Sequence, residues 1–143
     1  MTWPPLPSDA LGDFESARQA LLAALAGLKE EQCRSHPEPD ADSVLDCLGV
    51  LVAYERGLSA AAIAGQVLSA ALAPAAEREA KARGAQLMMP ALVHDLNAAT
   101  NDLRSVLLGL DEEPRKAAVA SIVHALTAAT DRVNRNAELL GIR

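Results

Sequence analysis

Few side chains in this chain have the chemistry to hold a metal or to activate a substrate. The imidazoles are His36, His94 and His124, and the thiols are Cys33 and Cys47. A metal site would need two of the histidines to converge with a carboxylate such as Asp46 or Asp95, and their scattered spacing gives no helix face carrying two of them. His94 and His124 are the weak alternative ligands; His36, in a proline-rich turn, reads as solvated. Cys47 would become a nucleophile only if a cation, a histidine or a helix N-terminus lowered its pKa. It lies about one turn beyond Ser43, where a helix N-terminus helps only slightly, and a buried, inert thiol is the reading adopted. Cys33 has less still in its favour.

A further set of residues is polar without being catalytic. Thr127, Thr130, Asp131 and Asn134 recur at steps of three and four, and Asn97, Thr100 and Asn101 form a comparable group upstream. If both stripes face inward, Glu55, Thr127, Thr130 and Asn134 line a polar pocket. If they face outward, they form an ordinary wetted surface, which helices tolerate for such residues.

The elements that position these residues follow from composition. The chain has 143 residues, half of them hydrophobic, yet only Trp3, Phe14 and Tyr54 are aromatic. Thirty are alanine. Ala and Leu are strong helix formers and weak sheet formers, so the expected class is all-α. The length suits one domain over residues 1–143, with 1–8 as an N-terminal extension. Thirteen basic against nineteen acidic residues give a net charge of −6, which repels phosphate backbones, and no basic face offsets it. Nucleic acid is excluded as a partner. The N-terminus MTWPPLPSDA lacks a signal-peptide pattern and two cysteines make no disulfide framework, so the expected location is cytoplasmic. The uncharged run 57–76 is mostly alanine and too weakly apolar for insertion, so no membrane span is expected.

Four long helices are legible. The first opens at Ser8 or Asp9 and carries Leu11, Phe14, Ala17, Leu21, Leu25 and Leu28 on one face. Pro37 and Pro39 break it. The second opens at Ser43, where Ser43-Val44-Leu45-Asp46 has capping-box spacing, and is predicted to run as far as Leu72, with Gly65 a soft spot. A crossover over 73–89 follows, helix-prone over 75–82, with Gly84 offering a stop. The third helix spans roughly 90–110. The fourth opens around Pro114 and ends at Gly141. The endings Gly27-Leu28-Lys29-Glu30-Glu31 and Gly109-Leu110-Asp111-Glu112-Glu113 bring the stripes of the first and third helices into register. The expected architecture is a four-helix bundle of two helical hairpins, with a long crossover between the second and third helices.

The Gly27–Gln32 ending, the acidic Pro-rich turn, the Ser43-Val44 opening and Asp131-Arg132 in the fourth helix together resemble the DinB-like superfamily of bacterial four-helix bundles. That superfamily includes YfiT-like metal-dependent hydrolases and mycothiol- and bacillithiol-dependent transferases. The resemblance implies a divalent metal held by one histidine of the second helix and an H-x-x-x-H pair of the fourth. In this chain Val50 occupies the first ligand position, and Thr130 and Asn134 occupy the paired positions when Asp131-Arg132 is aligned with the family pattern. Neither Thr nor Asn replaces imidazole as a strong transition-metal ligand. Asp42 stands where a Trp often precedes Ser-Val, and Glu55 matches a common acidic position.

The functional expectation is therefore a non-catalytic bundle that has lost the family metal site and binds a small molecule or a protein partner, with no cofactor. The alternative is an enzyme of the hydrolase or thiol-transferase type with a relocated site, which needs His94, His124, Glu55 or Cys47 to meet in one cleft. An alanine-rich bundle buries little apolar area per residue, so it gains by association, and a homodimer is expected, as the resemblance also implies.

Overall fold

A computed structural model describes residues 8–65 and 72–143, with side chains from Leu11 onward. The described chain forms six helices: α1 (Ser8–Leu25), α2 (Glu30–Arg34), α3 (Val44–Ile63), α4 (Pro74–Gln86), α5 (Met89–Leu108) and α6 (Glu112–Leu139). The described residues hold no strand, in keeping with the all-α composition. No described helix is long and apolar enough to cross a membrane.

Local chemistry sets the helix ends. Ser43 and Asp46 form the expected capping box: the Asp46 amide donates to Ser43 Oγ at 3.1 Å, and the Ser43 amide donates to Asp46 Oδ2 at 3.0 Å. Two otherwise orphaned amides at the start of α3 are thereby satisfied in a buried setting. At the other end α3 stops at Ile63, short of Leu72. Gly65 there takes a φ of 68°, a left-handed conformation that side chains disfavour. The part of the predicted extension over 66–71 lies outside the described residues. The end of α6 is a Schellman motif, with the Ile142 amide on Ala137 O at 2.8 Å and the Gly141 amide on Glu138 O at 3.1 Å.

The core is aliphatic. Phe14, Leu21, Leu45, Leu48, Leu58, Leu92, Leu96, Leu103, Leu107, Ile122 and Leu126 are all essentially inaccessible. Each such side chain contributes roughly 1.5–3 kcal/mol by leaving water. The central element is α3, which packs on α4, α5 and α6, while α1 lies along α6. Among the four long helices this differs from the expected pairing of consecutive elements: α1 packs chiefly on α6, and α3 chiefly on α5. The chain between α1 and α3 is long and includes α2, so it carries the second long helix away from the first. The turn between α5 and α6 is short, and Arg115 Nε bridges it by donating to Leu107 O at 2.8 Å.

The crossover is itself helical. α4 runs through Gly84 rather than stopping there, because Gly84 serves packing, not termination. A Cβ on Gly84 would lie 2.3 Å from Leu45 O, and one on Gly49 would lie 2.3 Å from Ala80 O. Two backbones therefore meet with no side chain between them, and α4 is seated directly against the first half of α3. Arg34 secures the far end of α4 by donating to Ala85 O at 2.7 Å and Leu87 O at 3.3 Å.

Candidate functional site

The close seating of α4 helps enclose a cavity of about 310 Å3 between α3 and α6. Along α3, Cys47, Val50, Leu51 and Tyr54 face it at helical spacing. The opposing face of α6 supplies Ala125, Ala128, Ala129 and Arg132. Alanines at these three positions fill little volume, which favours open space beside Val50 and Leu51. The remaining walls are Glu77 of α4 and Asp42 of the segment before α3. Two contacts hold the frame: Tyr54 Oη donates to Ser121 O at 3.4 Å, and Asn136 Nδ2 donates to Asp42 O at 2.8 Å.

Charge around the cavity is unevenly compensated. Lys81 Nζ lies 3.1 Å from Asp42 Oδ1 and 3.4 Å from Glu77 Oε1, so one ammonium serves two carboxylates. The Asp42 hydrogen bond is the main cause that raises the Lys81 pKa. Arg132 has neither a hydrogen-bond nor an ion-pair partner among the described residues. Burial pushes the Cys47 thiol up to about 12; Asp42 adds to the effect and Arg132 opposes it. The thiol is thus protonated at neutral pH and is no nucleophile. Cys33, buried and next to Glu30, is likewise pushed up to about 11.

A second polar group lies elsewhere on α3. Glu55 is fully buried, and Thr100 Oγ1 of α5 donates to its carboxylate at 2.9 and 3.1 Å. Burial raises its pKa to about 7, against the opposing effects of the Thr100 hydrogen bond and the charges of Arg18 and Arg56. Arg18 of α1 donates in turn to Asn97 of α5, and Arg104 binds Glu15 and Asn101. These contacts stitch α1 to α5 and satisfy most of the upstream polar stripe.

The structure does not bring Glu55, Thr127, Thr130 and Asn134 into one pocket. Thr127 is exposed, Thr130 Oγ1 donates to Leu126 O of its own helix at 2.9 Å, and Asn134 accepts from Arg143. None of the four lines the cavity between α3 and α6, whereas Val50 does. His94 and His124 are exposed, and His36 Nδ1 lies 2.8 Å from Ala41 O. No three His, Cys, Asp or Glu side chains among the described residues are grouped to hold a metal ion. Sequence reasoning passed over Arg132, Tyr54 and Glu77 as site residues. The available signal was the face Ala125, Ala129, Arg132, where small residues precede a cation at steps of four and three.

The described residues define an all-helical class of protein, with a cavity between two of its long helices and a helical crossover against the central one. Within that class, the model of the DinB superfamily matches residues 13–137, and the chain belongs to this superfamily. No curated protein and no solved structure shows significant similarity to it.

Proposed function

We propose that this chain is a DinB-superfamily four-helix bundle that has lost the family's metal site and uses the cavity between α3 and α6 as a non-catalytic small-molecule pocket. The observation that carries the reading is Val50: it occupies the position at which the family resemblance implies a histidine, and it lines the cavity. The rest of the lining does not fit a divalent metal either. Ala128 and Arg132 are four residues apart on α6, yet one has no donor atom and the other is a cation. Asp42 and Glu77 already share Lys81, and with Cys47 they form no group of three donors placed to hold an ion. The volume lies near the lower end of the roughly 300–1,000 Å3 range of ligand pockets, which suits a small molecule.

Association as a homodimer belongs to the same reading. Ile63, Met88 and Leu108 are more than half exposed, leaving apolar surface that a second copy would cover. Light scattering is expected to give about twice the 15.0 kDa mass of one chain. The test of the pocket reading is elemental analysis of untagged protein purified without chelator, then again after dialysis against zinc, nickel and iron. Substoichiometric metal in every case is the expected result. Near-stoichiometric retention of any of the three would overturn the reading.

A further inference from the structure

We infer that the cavity between α3 and α6 takes a small monocarboxylate, its charged end on the Arg132 guanidinium and its apolar body between Val50, Leu51, Tyr54 and the facing alanines. This rests on the reading of the cavity as a binding pocket and names the ligand class it selects.

The guanidinium is the first reason. Arg132 lines the cavity without a partner among the described residues, although carboxylates are near. A planar fork of N–H donors matches a carboxylate bidentately, and such charge-assisted pairs are the stronger kind of hydrogen bond. The walls are the second reason. Apart from Arg132 and the Asp42–Glu77 side, the lining is aliphatic or aromatic, and the protonated Cys47 adds no charge to it. A ligand with one charged end and an apolar body matches that division.

The Asp42–Glu77 side is the third reason, because it limits the ligand to one negative charge. Two carboxylates against the single ammonium of Lys81 leave that wall net negative. A second anionic group, or the doubly charged head of a phosphate monoester, would face repulsion there. A primary amine gains little from the same wall, since Lys81 already holds both carboxylates, and it would face Arg132 as a like charge.

The test is isothermal titration of the full chain with hexanoate, hexanamide, hexylamine and hexyl phosphate, four heads on apolar bodies of five or six carbons. Hexanoate is expected to bind roughly 10- to 100-fold more tightly than hexanamide, the range of a charge-assisted hydrogen bond. Arg132→Gln should bring hexanoate down to the level of the amide, while Arg132→Lys keeps part of the difference. Circular dichroism and an unchanged melting midpoint would show that both variants stay folded. Equal binding of hexanoate and hexanamide would overturn the carboxylate assignment while leaving the pocket reading in place. Tighter binding of hexyl phosphate or hexylamine would overturn the selection of a monoanion. No binding of any of the four at millimolar concentration would overturn the inference and the pocket reading together.

Discussion

Two polar regions adjoin α3, and they are built on opposite terms. Between α3 and α5, Glu55 is fully buried with a hydroxyl donor on its carboxylate, and Arg18 and Asn97 pair beside it. Between α3 and α6, Arg132 faces open space with no partner among the described residues. A buried polar group must be satisfied internally, or the fold loses its desolvation energy. A charged group beside a cavity is instead satisfied by water, or by whatever displaces that water. The first region therefore bears on stability and the second is the one we propose for binding, although the same helix supplies both.

The largest expected effect tests the frame that the cavity depends on. Gly49→Ala would drive a methyl against the Ala80 carbonyl, a backbone atom that cannot swing aside, and push α4 with Glu77 away from α3. Chemical denaturation should show a loss of about 3 kcal/mol, the upper end of ordinary overpacking. Gly57→Ala on the same helix meets nothing within 4 Å and should gain roughly 0.5–1 kcal/mol from helix propensity. If the two variants behaved alike, the seating of α4 on α3 would be wrong.

The Glu55 side predicts a pH dependence with a definite sign. Its pKa is raised from 4.5 to about 7 in the folded chain, so the native state holds a proton that the unfolded state releases. The protonated form stabilises the fold fully below about 4.5, and that contribution is lost as pH rises through about 7. The total is on the order of 3 kcal/mol for the native state. Denaturation midpoints measured from pH 4.5 to pH 8 should fall accordingly, and Glu55→Gln should flatten the profile. Thr100→Val removes the donor and should cost roughly 1–3 kcal/mol at pH 8, where the stranded group is charged.

The smallest expected effect completes the comparison. Arg132→Gln should change stability by no more than about 0.5 kcal/mol, as for a side chain with no hydrogen-bond or ion-pair partner among the described residues. A loss as large as that of Thr100→Val would place Arg132 among the structural polar residues and remove the contrast between the two regions.

The sequence made much of this fold legible, because periodicity records burial directly. Phe14, Leu21 and Leu25 lie on the stripe predicted for the first helix and are buried, and the Ser43–Asp46 box forms where its spacing requires. Glycines were harder to read. Gly84 looked like a helix stop, but only the neighbouring backbone of α3 reveals it as a crossing point; Gly65 looked like a soft spot and ends the helix. The cavity was harder still, because it is made of missing volume. Ala125, Ala128 and Ala129 carry no polar signal, and the space they leave exists only opposite Val50 and Leu51. Polar spacing drew attention to Thr130 and Asn134 instead, two residues beyond Ala128 and Arg132. A two-residue offset turns a side chain about 200° around a helix, so Thr130 and Asn134 face away from the cavity that Ala128 and Arg132 line.

The central claim is that the space between α3 and α6 is the binding site and the Glu55 region is not. Backbone amide NMR of the full chain during titration with hexanoate tests it most directly. The account predicts saturable shifts concentrated at Cys47, Val50, Tyr54, Ala125, Ala129 and Arg132, with Glu55 and Thr100 unmoved. Shifts centred on Glu55 and Thr100, or none at saturating ligand, would contradict it.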